Sequence, residues 1–149
     1  MSNDKYTHKN GIVYLNQYHV IFCPKYRRKV LVGDIEKDLR EIFYEVAKEN
    51  GVEIKALEIM PDHVHMFISF DPRQHIHKLI QAFKGRGSRI LREKYSSLKS
   101  RLPSLWTRSY FCCTVGHISE EVVMKYIENQ KKVHRGVLHW LKRNLQVMY

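Results

Sequence analysis

Residues 61–70 read "PDHVHMFISF". Pro61-Asp62 is a tight-turn pair, and the residues after it alternate. Val64, Met66, Ile68 and Phe70 occupy every second position, and His63, His65, Phe67 and Ser69 fill those between. Successive strand residues point to opposite faces, and residues i and i+2 lie about 6.6 Å apart on one face. The stretch is expected to be a strand whose apolar face meets helices and whose opposite face carries both histidines. Two imidazoles so placed can converge on one cation at about 2.1 Å from each nitrogen. A His-x-His triplet alone is a weak signal, because the same pair also serves as a phosphate site or in a structural or stacking role.

The pattern recurs at His75-Ile76-His77. These residues fall at the start of a helix expected over 74–94, after Asp71-Pro72 ends the strand. On a helix, residues i and i+2 are about 200° apart and do not face each other. His75 and His77 should therefore diverge, as surface or boundary residues.

The neighbouring segments supply the rest of a fold. "VEIKALEI", 52–59, reads as a strand that pairs with 63–70 as a hairpin. "YLNQYHVIFC", 14–23, is rich in aromatic and β-branched residues and stops at Pro24, which makes it the first strand. After the loop "PKYRRKVLVG", Asp34 opens a helix with Ile35, Leu39, Ile42, Phe43 and Val46 on one face, and Gly51 ends it. Residues 96–104 read as a basic loop and "LWTRSYFCCTVG", 105–116, as a fourth strand. Ser119 is expected to cap a helix running to about residue 134, with Glu120 and Glu121 in its first turn, and 137–147 to form a short tail helix. The order β-α-β-β-α-β-α places the chain in the α+β class. Its first six elements match the ferredoxin-like, or split βαβ, pattern: an antiparallel sheet with helices on one face and the other face free for a site. No repeat, linker or low-complexity segment divides residues 1–149, so one domain is expected.

Charge is the strongest global signal. Twenty-six Lys and Arg against 15 Asp and Glu give a formal charge of +11. That balance favours a polyanionic partner, nucleic acid ahead of an anionic membrane surface. No signal-peptide pattern or apolar run of bilayer length is present, so a soluble cytoplasmic protein is expected. The three cysteines, Cys23, Cys112 and Cys113, lack C-x-x-C spacing and read as small buried residues.

The last helix, "SEEVVMKYIENQKKVH", puts Tyr126 and Gln130 four residues apart on one face, with Asn129 and His134 close by. Such a tyrosine is most often just partly buried. It can also be a nucleophile, if its hydroxyl is oriented and the electrophile is polarised by a cation held by two imidazoles and an amide oxygen.

Five blocks in order, "NQYHVIFCPKYRRKVL", "PDHVHMFISF", "KGRGSRILREKY", "SYFCCTVG" and "YIENQ", resemble the small single-tyrosine transposases of bacterial insertion sequences, members of the HUH (His-hydrophobic-His) endonuclease superfamily. The resemblance spans about residues 10–135. It implies a ferredoxin-like homodimer in the cytoplasm of a bacterium or archaeon, acting on single-stranded DNA with hairpins at the element ends. It implies His63, His65 and Gln130 as ligands of Mg²⁺ or Mn²⁺. Tyr126 would be the nucleophile, forming a 5′-phosphotyrosine link and a free 3′-OH, often across the dimer. No P-loop is required, and "KGRGSR" lacks its spacing.

The basic residues are candidates for the DNA path. Lys25, Arg27 and Arg28 flank Tyr26, and Lys84, Arg86, Arg89 and Arg92 stud the second helix beside Gly85 and Gly87. Trp106, Arg108 and Tyr110 would alternate along the fourth strand, in a pattern suited to stacking unpaired bases. The rival readings are a replication-initiator or relaxase type of HUH nickase and a non-catalytic nucleic-acid-binding domain of the same fold. A two-histidine phosphoesterase fits poorly, since only His117-Ile118-Ser119 matches its His-x-Ser/Thr motif.

Overall fold

The computed structural model describes residues 5–116 and 120–129. Ser119, Gln130, His134 and the expected tail helix at 137–147 lie outside the described residues. Two short strands, β1 (Thr7–Lys9) and β2 (Ile12–Tyr14), form an N-terminal hairpin. The main sheet contains β3 (Gln17–Phe22), β4 (Glu53–Met60), β5 (His63–Ser69) and β6 (Phe111–Thr114). Among the described residues four α-helices accompany it: α1 (Gly33–Glu49), α2 (Ile76–Lys94), α3 (Ser96–Arg101) and α4 (Glu120–Glu128). The sheet order is β4-β5-β3-β6 with every neighbouring pair antiparallel, which is the ferredoxin-like arrangement expected of this element order.

The core lies between the sheet and the pair α1–α2. Val64, Met66, Ile68 and Phe70 enter it together with Val20 and Phe22, against Leu39, Phe43, Val46, Leu79 and Phe83 of the helices. Gly87 sets how closely the helices approach. A Cβ there would stand 3.0 Å from Leu39 Cδ1, so its role is helix packing and not access for DNA. Gly51, at φ +65°, ends α1 as its position in the sequence requires.

The opposite face of the sheet is not open along its length. Ile127 of α4 packs there with Ala56, Phe67 and Val115. Lys55 contributes an ion pair to Glu120 at 2.9 Å. A β-bulge makes this second core possible. The register passes from Ile54↔Ile68 to Ala56↔Phe67, leaving Lys55 as an extra residue. Ile54 therefore joins the core on the helix-pair side, whereas Ala56 faces α4.

Three segments depart from the sequence reading. The N-terminal hairpin turns at Asn10 (φ 48°) and Gly11 (φ 77°), the Asn-Gly pair favoured in two-residue hairpin turns. The expected basic loop at 96–104 contains α3. The expected strand over 105–116 is broken. Trp106 bridges Pro24, and β6 resumes at Phe111 opposite Ile21, so the broken strand spends two more residues than β3 over the same stretch. Trp106 is core, with its indole N–H donating to the Lys84 carbonyl at 2.9 Å, and does not form a base-stacking platform. Of the cysteines, Cys23 is buried as expected, whereas Cys112 is half-buried and Cys113 exposed.

Candidate active site

Strand parity brings the first histidine pair together. His63 and His65 are 3% and 0% exposed, and their rings meet edge-to-face at 4.9 Å between centroids. Both lie on the α4 side of β5, as do Glu58, opposite His65 in the β4 register, and His19, opposite Phe67 in the β3 register. His75 and His77 are both exposed at the start of α2, and His77 Nδ1 lies 2.8 Å from the Tyr110 hydroxyl.

Each buried imidazole has a defined partner. His63 Nδ1 lies 2.7 Å from Asp62 Oδ1, and Arg27 Nη2 lies 3.1 Å from Asp62 Oδ2. Burial alone would raise the Asp62 carboxyl, but the hydrogen bond from His63 and the charges of His63 and Arg27 hold it below its ordinary value. An ionised carboxylate only accepts hydrogen bonds, so the His63 proton on that side sits on Nδ1. His63 Nε2 is buried without a hydrogen-bond partner among the described residues. An isolated buried acceptor is costly, and a ligand would relieve it.

His65 Nδ1 lies 3.1 Å from His19 Nε2, and the two rings stack at 5.4 Å. Burial pushes His65 well below the ordinary imidazole value, with the charges of His63 and His19 adding to the shift. Burial likewise pushes His19 down to about 4. Both are neutral near pH 7, the protonation state in which imidazole ligates a metal.

Helix α4 brings its tyrosine to this group within a single chain. The half-buried Tyr126 ring stands edge-on to His65 at 5.9 Å and to His19 at 6.4 Å. Among the described residues, no group of three or more His, Cys, Asp or Glu is arranged to hold a metal ion. His63 and His65 nevertheless suit a divalent cation, as two imidazole nitrogen ligands on one face with His63 Nε2 buried. Gln130 lies outside the described residues.

The cations expected along a DNA path divide into two sets. Lys25, Lys84 and Arg108 line one open cleft of about 490 Å³ with Ser88 and Ser104. Within it Lys84 donates to the carbonyls of Thr107 at 2.7 Å and Ser109 at 3.3 Å, and burial lowers it to about 8. Tyr26 is 62% exposed, and Arg28 is exposed beside it. The other set serves the fold. Arg27 pairs with Asp62, Arg86 with Glu49 at 2.6 Å, and Arg92 donates to the Leu102 carbonyl at 2.8 Å. Arg89 is exposed on α2, in the helix layer across the sheet from His63 and His65.

The sequence reading missed His19, Asp62 and Glu58. His19 was accessible in principle. In a split βαβ fold the first and third strands are neighbours, and the parity that buries Val20 and Phe22 sends His19 to the histidine face.

The ferredoxin-like sheet thus carries two buried histidines on one strand with a tyrosine helix across them, and comparison with known proteins identifies the family. The model of the family described as "Transposase IS200 like" matches residues 12–130. The chain belongs to this transposase family, whose activity is DNA cleavage and strand transfer. It is 41% identical over 122 residues to the ISDra2 transposase TnpA of Deinococcus radiodurans, covering 80% of this chain and 87% of that one. It is 29% identical to the transposase of insertion sequence IS200 from Salmonella typhimurium over 116 residues, 76% of each chain. A Deinococcus radiodurans R1 crystal structure, described as that of a candidate transposase, superposes with a TM-score of 0.69 at 36% identity, covering 83% of this chain and 97% of that one. A REP-associated tyrosine transposase bound to a REP hairpin shares the fold, with a TM-score of 0.64 at 14% identity, covering 87% of this chain and 75% of that one. Among the described residues no helix is long and apolar enough to cross a membrane.

Proposed function

We propose that the protein cleaves single-stranded DNA at hairpin-marked element ends and rejoins it through a covalent link to Tyr126. The observation that carries this reading is the Tyr126 ring standing edge-on to His65, beside a His63 whose buried Nε2 lacks a partner among the described residues. The Tyr126 oxygen attacks the scissile phosphorus, and the bond to the 3′ oxygen breaks. The tyrosine proton is given up and the departing 3′ oxygen gains one. The products are a 5′-phosphotyrosine and a free 3′-OH. In the second step a 3′-OH attacks the phosphotyrosine, the diester re-forms and the tyrosine is released. The number of phosphodiesters is unchanged, so rejoining needs no nucleotide triphosphate. His63, His65 and Gln130 would hold Mg²⁺ or Mn²⁺, which supplies charge stabilisation at the phosphoryl oxygens.

The exposed Tyr26 and the cleft with Lys25 and Arg108 suit unpaired bases and their phosphates. A homodimer is the expected assembly. On a denaturing gel, an element-end oligonucleotide labelled at its 3′ end should shift to a protein-linked band with Mn²⁺ or Mg²⁺, and Tyr126→Phe should give none. A wild-type protein that binds such DNA but forms no adduct with either metal would be a binding module and not this enzyme. A band persisting in Tyr126→Phe would reassign the nucleophile. A single species of monomer mass in micromolar sedimentation would reject the dimer.

A further inference from the structure

We propose that Asp62 and Arg27 are positioning residues. Together they form a chain, Arg27–Asp62–His63, that fixes His63 with its proton on Nδ1 and its lone pair on Nε2. The geometry divides the carboxylate cleanly. One oxygen of Asp62 takes His63 Nδ1 at 2.7 Å, and the other takes Arg27 Nη2 at 3.1 Å. With Arg27 holding one oxygen, the other stays directed at the imidazole. The nitrogen this leaves as acceptor is the one that is buried and without a hydrogen-bond partner among the described residues. A carboxylate behind a histidine sets the tautomer and raises the basicity of the far nitrogen, as at many metal sites.

Arg27 reaches this position at a conformational cost. Tyr26 and Arg27 have φ of 59° and 49°, in the left-handed region that residues with side chains rarely adopt. The backbone N–H of Arg27 donates to the Pro24 carbonyl at 2.9 Å and closes the turn. One tight turn thus exposes Tyr26 to solvent and sends Arg27 inward to Asp62. The turn that offers Lys25 and Tyr26 to a DNA strand is joined to a histidine of the site through one side chain. Arg27 belongs to the metal-ligand support and not among the phosphate contacts.

The consequence for metal binding rests on the function proposed above, whereas the tautomer does not, and two measurements separate them. The first is long-range ¹H–¹⁵N NMR of the ¹⁵N-labelled full chain without metal, with His63 assigned by comparison with His63→Ala. The wild type should show His63 protonated on Nδ1 alone, and Asp62→Ala should populate the Nε2–H form. A wild-type His63 protonated on Nε2 would overturn the proposal, whatever the variants do. The second is calorimetric titration with Mn²⁺. Asp62→Ala should weaken binding about 10- to 100-fold. Asp62→Asn, which keeps an acceptor oxygen, should lose less, and Arg27→Met should shift affinity in the same direction by a smaller factor. Wild-type affinity in a folded Asp62→Ala or Asp62→Asn protein would reject the positioning role. Equal Mn²⁺ affinity in wild type and His63→Ala would instead reject the metal site, and the tautomer measurement would still judge the chain.

Discussion

The two His-x-His pairs differ by one intervening residue as text and by almost everything as structure. His63 and His65 lie on a central strand, buried, each with a partner on Nδ1. His75 and His77 lie at a helix start, exposed, and the contact of His77 is the half-buried Tyr110. The same residue types acquire chemistry only where periodicity turns them to one face and burial removes competing water. Burial makes His19 and His65 neutral, and the carboxylate makes His63 directional. No property of the triplet itself supplies either.

The largest expected effect tests that contrast directly. His63→Ala or His65→Ala should reduce single-strand cleavage by more than about a hundredfold, beyond the cost of losing an outer partner. His75→Ala and His77→Ala should stay within about twofold of wild type in the same gel assay. Comparable losses from all four would remove the distinction between strand and helix.

The next test concerns pH. The folded value of His19, about 4, lies below its ordinary 6.5, so the unfolded chain binds the extra proton first as pH falls. His19 therefore contributes stability at neutral pH that declines below about 6.5 and is lost by about 4, amounting to about 3 kcal/mol. Urea unfolding at pH 7 and pH 5 should show the decline, and His19→Gln should flatten it. An unchanged slope in His19→Gln would mean that burial of this imidazole is not what sensitises the site to acid.

The smallest effect separates cations near the site from those on the helix layer. Lys25→Ala and Arg108→Ala should each weaken single-stranded DNA binding severalfold. Each should also reduce the slope of log affinity against log salt by about 0.7 for every phosphate no longer neutralised. Arg86→Ala removes a partner of Glu49 and should leave the slope unchanged. A reduced slope in Arg86→Ala would move the DNA path to the α2 surface.

Where elements follow a simple period they were legible from residues alone. The alternation of 63–70 and the spacing of Leu39, Ile42, Phe43 and Val46 gave β5, α1 and the face that holds both histidines. What was not legible depends on partners distant in sequence. Trp106 reads as a strand aromatic, but the extra residues before Phe111 and its bond to the Lys84 carbonyl make it core. Arg27 reads as a free cation until Asp62, 35 positions later, is seen to bind it. The hairpin at Asn10-Gly11 had a local signal, and its flanking strands are only three residues each. Tyr126 and Gln130 were linked by helical spacing and by family resemblance, and Tyr126 is the one whose surroundings are described.

The bulge at Lys55 has a meaning for how this chain can vary. Strand β4 serves one core before Lys55 and exchanges faces after it, so it behaves like a text with a frame. Substitutions along it change single letters, and their effects stay local. Deleting Lys55 would restore strict alternation with each residue kept on its face, but keeping it and pairing it regularly, without the bulge, would swap the allegiance of every residue on one side of it. Ile54 and Glu53 would trade places, or Ala56, Glu58 and Met60 would turn away from the histidines. In this strand the bulge, more than the composition, keeps the helix that bears the tyrosine seated over the imidazoles.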